Sequence, residues 1–190
     1  GQRRAAEAGD AQESRSWIQE MTTRDRSLYK AWPPIVAAAW RNLESDVQQL
    51  LQGRPDLEAR DPENFTALSR AAWQGNASIV ERLLQSGALA DSRVGENWTA
   101  LGIAAREGHA TVVTLLIKSG ASSELEQGDG GTPLVWATRA GQFEAAIALI
   151  RQGAKTNASD SKGRSVAEWA ARRGDGQLLA ELTRIGGAVP

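Results

Sequence analysis

The chain has 190 residues, a formal net charge of −1 and no cysteine. That balance gives no bulk attraction to nucleic acid or anionic lipid, and the missing thiols exclude disulfides, thiol catalysis and thiolate metal sites. No apolar run approaches the roughly 20 residues of a membrane span, and the length fits about one domain with a continuous core.

Residues 1–15 are Gly, Gln, Arg, Ala, Glu, Asp and Ser with no apolar stripe, a stretch predicted to be disordered. The first residue is Gly1 rather than Met. We therefore expect a trimmed or processed chain, with a removed secretory signal left open. Residues 16–27 are predicted to form a short capping helix. Trp17, Ile18 and Met21 fall on one of its faces, ahead of Leu28 and Tyr29. Its expected task is to cover the apolar end of the segment that follows.

From residue 28 onward the chain repeats every 33 residues. Thr66, Thr99, Thr132 and Ser165 form one series. Gly75, Gly108, Gly141 and Gly174 form a second, and Gly87, Gly120, Gly153 and Gly186 a third. Such a period means stacked units, each unable to bury its apolar face alone. Counting back from Ala71, Ala72, Trp73, Val80, Leu83 and Leu84 reaches Ala38, Ala39, Trp40, Val47, Leu50 and Leu51. That match adds a degenerate first unit, in which Pro33-Pro34 opens the helix. The units are 28–60, 61–93, 94–126, 127–159 and 160–190. The last carries polar Arg172-Arg173, as expected of a terminal cap.

Thr66-Ala67-Leu68-Ser69-Arg70-Ala71-Ala72 resembles the opening of the first helix of an ankyrin repeat. Thr99 to Ala105 and Thr132 to Thr138 are similar. So are the second helices, with Ile79-Val80 then Leu83-Leu84, Val112-Val113 then Leu115-Leu116, and Ala146-Ile147 then Leu149-Ile150. The resemblance covers residues 28–190. It implies an all-α ankyrin-repeat solenoid of stacked helix–turn–helix units with hairpin loops. Thr at the head of the first helix can cap free N–H groups, Pro133 suits the first turn, and the Gly that follows the helix accepts φ > 0 at low cost. Two slots depart from the family pattern. The usual His is Val36, Ser69, Gly102, Val135 and Glu168, and the hairpin Asp survives as Asp61 and Asp160 but is Val94 and Gln127 between them. These losses predict weaker local hydrogen bonding and modest stability.

Catalysis is not expected. His109 is the single histidine. It follows Gly108 in a slot where the family commonly reads Gly-His, so its expected role is structural. No acid or histidine spacing fits a metal. Gly128, Gly130 and Gly131 lie in a hairpin rather than between a strand and a long helix, which does not make a phosphate cradle. No cofactor and no metal are expected.

The family's hairpin tips and first-helix ends line a concave groove, and two ladders of residues carry over to it. The residue before the capping Thr reads Trp32, Phe65, Trp98, Gly131 and Arg164. The residue after the Ala-Ala pair reads Trp40, Trp73, Arg106, Arg139 and Arg172, with Arg173 beside it. Both run from aromatic to basic. Trp136 and Trp169 are read instead as half-buried core. Clustered exposed aromatics mark interfaces, and aromatic residues and Arg dominate interface hot spots. The expected partner is a protein with an acidic and apolar surface, bound by a chain that is a monomer when free.

The favoured role is a stoichiometric inhibitor, an immunity protein for a bacterial toxin or enzyme. An adaptor or stabilising partner is the alternative, and a small-ligand or RNA binder stands behind it. Richness in Ala, Arg and Gly points to a GC-rich bacterium. Periplasm is expected ahead of cytoplasm.

Overall fold

Helix-forming runs of Ala and Leu, bounded by caps and glycines, set the architecture. The computed structural model describes residues 29–185. The expected disordered segment 1–15, the capping helix 16–27 with Trp17, Ile18 and Met21, and the terminal Gly186 and Gly187 lie outside the described residues. Ten helices lying wholly among the described residues form five pairs: α1 (Pro34–Trp40) with α2 (Glu44–Gln52), α3 (Ala67–Gln74) with α4 (Ala77–Gln85), α5 (Ala100–Glu107) with α6 (Ala110–Lys118), α7 (Pro133–Ala140) with α8 (Phe143–Arg151), and α9 (Val166–Arg173) with α10 (Gly176–Arg184). First helices pack side by side in chain order, and second helices form a layer behind them.

The first helix of each pair starts and stops for a local reason. Thr66, Thr99 and Ser165 accept the backbone N–H three residues on, which satisfies one orphan donor of the first turn. Thr132 departs from this expectation. Its side chain makes no capping bond, and Oγ1 is buried without a partner among the described residues. Pro133 at the first helical position fixes the entry there instead. At the far ends Gly75, Gly108, Gly141 and Gly174 adopt φ of +74°, +89°, +76° and +71°. Asn42 takes this place in the first unit at φ +59°, one of the few side chains that tolerate the left-handed region.

The core is a set of columns along the repeat axis. Ala38, Ala71, Ala104, Ala137 and Ala170 are all fully buried, and small side chains there let the first helices approach. In the neighbouring column Ala39, Ala72, Ala105 and Thr138 are fully buried, and Thr138 Oγ1 donates to the Leu134 carbonyl at 2.8 Å. Ala171 ends that column exposed, leaving only a methyl group to solvent. In the second layer the in-phase contacts are Leu83, Leu116, Leu149 and Leu182, none above 1% exposed. This corrects two sequence assignments by one residue: Leu115 and Ile147 are half-buried, while Leu116 and Ala145 are inside.

Polar ladders tie neighbouring repeats. Glu58, Asp91 and Glu124, spaced by 33, accept the backbone N–H of Leu89, Ser122 and Lys155. The expected loss of hydrogen bonding at Gln127 is also corrected. Gln127 is fully buried, and its Oε1 accepts from Thr99 N at 2.7 Å and from Thr99 Oγ1 at 3.1 Å. Val94 contributes no side-chain acceptor and keeps two backbone bonds to Trp98, both 2.9 Å.

Candidate functional site

Between the helix pairs, short hairpins over 61–65, 94–98, 127–131 and 160–164 close on backbone bonds. Gly95 N donates to the Asn64 carbonyl at 3.1 Å and Gly128 N to the Asn97 carbonyl at 3.2 Å, joining successive tips. Arg60 and Arg93 reinforce this row. Arg60 Nη1 donates to the Arg93 carbonyl at 2.6 Å, and Arg93 Nη1 to the Glu126 carbonyl at 2.5 Å.

The aromatic residues before each capping Thr lean along the row. A Cβ on Gly95 would sit 2.8 Å from Phe65 Cζ, and one on Gly128 would sit 2.9 Å from Trp98 Cζ2. Each ring therefore occupies the space that the next tip leaves by holding glycine. Where the ladder reaches Gly131 the pattern ends: Gly131 is buried at φ +92°, a would-be Cβ 3.0 Å from Val135.

The N-terminal aromatics do not face freely outward, as the sequence reading assigned them. Trp32, Trp40, Phe65 and Trp73 are half-buried and surround Arg70. Its guanidinium carbon lies 4.7, 4.9, 4.3 and 5.6 Å from their ring centroids. Trp40 and Trp73 meet edge to face at 5.9 Å, and Tyr29 meets Trp32 the same way at 5.0 Å. Arg70 is 2% exposed. Its Nε bonds Asp61 at 2.7 Å and its Nη2 bonds Glu63 at 2.8 Å, while Asp61 also accepts from the Glu63 and Phe65 backbones. Sequence reasoning missed Arg70. Its signal was a cation in a slot held elsewhere by Ala37, Ile103, Trp136 and Trp169.

The C-terminal half inverts the arrangement, with arginines lying over tryptophans. Trp98 contacts Trp136 at 4.7 Å. Arg106 lies over Trp98 at 5.3 Å, Arg139 over Trp136 at 4.5 Å, and Arg164 and Arg172 over Trp169 at 4.4 and 5.9 Å. Arg173 donates to the Arg139 carbonyl. Trp136 and Trp169 are half-buried as expected, yet they belong to this face as the platforms for its arginines. Their indole N–H groups are held by the Gln127 and Gly130 carbonyls and by Asp160.

Three of these arginines also have carboxylates of their own. Arg106 is 3.5 Å from Glu107, Arg139 is 3.6 Å from Asp129, and Arg164 is 2.8 Å from Asp160. Burial pushes the Asp160 carboxyl up. Hydrogen bonds from the Arg164 and Lys162 backbones, the Trp169 indole and the Arg164 side chain outweigh it and bring the pKa down to about 2. The face is therefore a continuous, half-exposed band of aromatic rings and stacked guanidinium groups, fixed by its own ion pairs. Outside it, His109 Nε2 lies 2.8 Å from the Trp73 carbonyl and its ring fills the space beside Gly75, a tie between repeats. Among the described residues no group of three or more His, Asp or Glu side chains is placed to hold a metal. No helix there is long and apolar enough to cross a membrane.

A family model described as three copies of ankyrin repeats matches residues 34–127, and a single ankyrin-repeat model matches residues 129–161. The chain belongs to the ankyrin-repeat family, and as such it is a protein–protein interaction module. Residues 162–185 lie beyond both matches, and there α9 and α10 repeat the helix pair. No curated protein matches the chain.

Proposed function

We propose that the aromatic–arginine face binds one partner protein and that the chain acts by occupying it, without turnover of its own. The observation that carries this reading is the prearranged band from Trp32 to Arg172, in which each ring and guanidinium is held by a neighbour. Rigid aromatic area loses little entropy on binding, and preorganised side chains keep the cost of association low. The finer role is that of a one-to-one inhibitor of a bacterial toxin or enzyme.

The test is to isolate the complex from the native organism and assay the partner alone and bound. Inhibition saturating at one chain per partner supports the role. Unchanged or increased partner activity replaces it with that of an adaptor or stabiliser. Chelators have no effect on the complex in either case.

A further inference from the structure

Glu63, Glu96, Asp129 and Lys162 stand 33 residues apart at the hairpin tips, acidic over three repeats and basic in the fourth. The side chains of Glu63 and Asp129 are 66% and 67% exposed, and Glu96 is exposed as well. Between the first two tips lies a notch of about 430 Å³ lined by Glu63, Asn64, Phe65, Gly95, Glu96 and Trp98.

Elsewhere on this face the chain itself shows what fills such a combination. Arg70 joins Phe65 and Asp61, Arg139 joins Trp136 and Asp129, and Arg164 joins Trp169 and Asp160. Each is a guanidinium between an aromatic ring and a carboxylate. In the notch two rings and two carboxylates line one space, and no cation is among the lining residues. Of the nearby cations, Arg70 lies over Phe65 and pairs with Glu63, Arg106 lies over Trp98 and Arg60 bonds Asn64, so that among the described residues Glu96 is the lining carboxylate in no ion pair. Arg60 Nη1 also donates to the Arg93 carbonyl, Arg93 Nη1 to the Asn97 and Glu126 carbonyls, and Arg106 lies beside Glu107. Arg70 meets Glu63 but is itself buried, and it leaves that carboxylate two-thirds exposed.

We propose that this notch receives an arginine side chain of the protein partner. The inference rests on the partner-binding reading of this face and adds the charge that the partner brings. The methylene stem packs against Phe65 and Trp98, and the planar guanidinium pairs with the tip carboxylates, the geometry that arginine suits better than lysine. It adds a basic group at this end to the acidic and apolar partner surface expected from the sequence, while Arg106, Arg139 and Arg164 have carboxylate neighbours of their own.

N-acetyl-arginine amide is the probe, with N-acetyl-citrulline amide as its uncharged isostere. Both are titrated into the full chain while the Gly95 amide and Trp98 indole resonances are followed by NMR. The arginine probe shifts these resonances and the citrulline probe shifts them less. Glu96→Gln weakens the arginine response about two- to five-fold, the size of an exposed ion pair, and Glu96→Lys abolishes it. Glu96 is at an exposed tip, so unchanged far-UV circular dichroism verifies folding. Equal responses to the two probes, or a response indifferent to Glu96→Lys, overturns the proposal. Protection of the wider face in the native complex is measured separately, so failure here removes the arginine notch and leaves the partner-binding reading to its own test.

Discussion

Gly102 and Gln127 share one space. A Cβ on Gly102 would lie 2.1 Å from Gln127 Oε1, the atom that accepts from Thr99 N and Oγ1. The two positions are the slots where the family's His and hairpin Asp are absent, so the departures compensate each other: the helix gives up a side chain and the hairpin sends one in.

Gly102→Ala is therefore expected to destabilise the chain by about 1–3 kcal/mol through overpacking, against the usual gain of about 0.5–1 kcal/mol for replacing glycine in a helix. Gly102→His combined with Gln127→Asp recovers more stability than the two single changes predict when summed. Thermal unfolding of the four proteins in a double-mutant cycle checks this. Additive effects contradict the coupling.

Arg70 is expected to be the most sensitive residue of the face. Arg70→Leu leaves Asp61, whose side chain is fully buried, without its cation, and breaking such a pair costs about 3–5 kcal/mol. Adding Asp61→Asn returns part of that loss. Near-UV circular dichroism of the tryptophans changes together with stability, because the same guanidinium lies among four rings. A stable Arg70→Leu protein with an unaltered aromatic spectrum contradicts the cage.

The repeat made much of this legible and concealed the rest for physical reasons. A strict 33-residue period places caps, turn glycines and buried alanines, since each is dictated by contacts that recur in every unit. The same period would have revealed the Glu58, Asp91 and Glu124 ladder, which bonds across repeats at constant spacing. The Trp40 and Trp73 environment was not legible from slot position, because one atypical residue, Arg70, draws the neighbouring rings around it. Likewise the carboxylate beside Arg139 comes from the preceding hairpin, and only the folded chain brings Asp129 to that helix end.

Acid should act through Asp160. Its pKa of about 2 lies below the ordinary 3.8, so the folded state favours the ionised form. The resulting stabilisation is complete above the ordinary value and is lost as pH falls through about 2. Asp160→Asn lowers the melting temperature at pH 7, and the gap from the native chain narrows between pH 4 and pH 2. Melting curves over that range check the sign. A gap that widens on acidification contradicts it.

The central claim is that partners are held on the aromatic–arginine face. A competing surface exists, a cavity of about 710 Å³ between second helices and their following loops, lined by Leu84, Leu89 and Leu115, with Leu89 60% exposed. Hydrogen–deuterium exchange of the native complex separates the two. The account predicts slowed exchange in the hairpins 61–65, 94–98 and 127–131 and at the ends of α3 and α5. Slowing confined to 84–92 and 115–120 would contradict it.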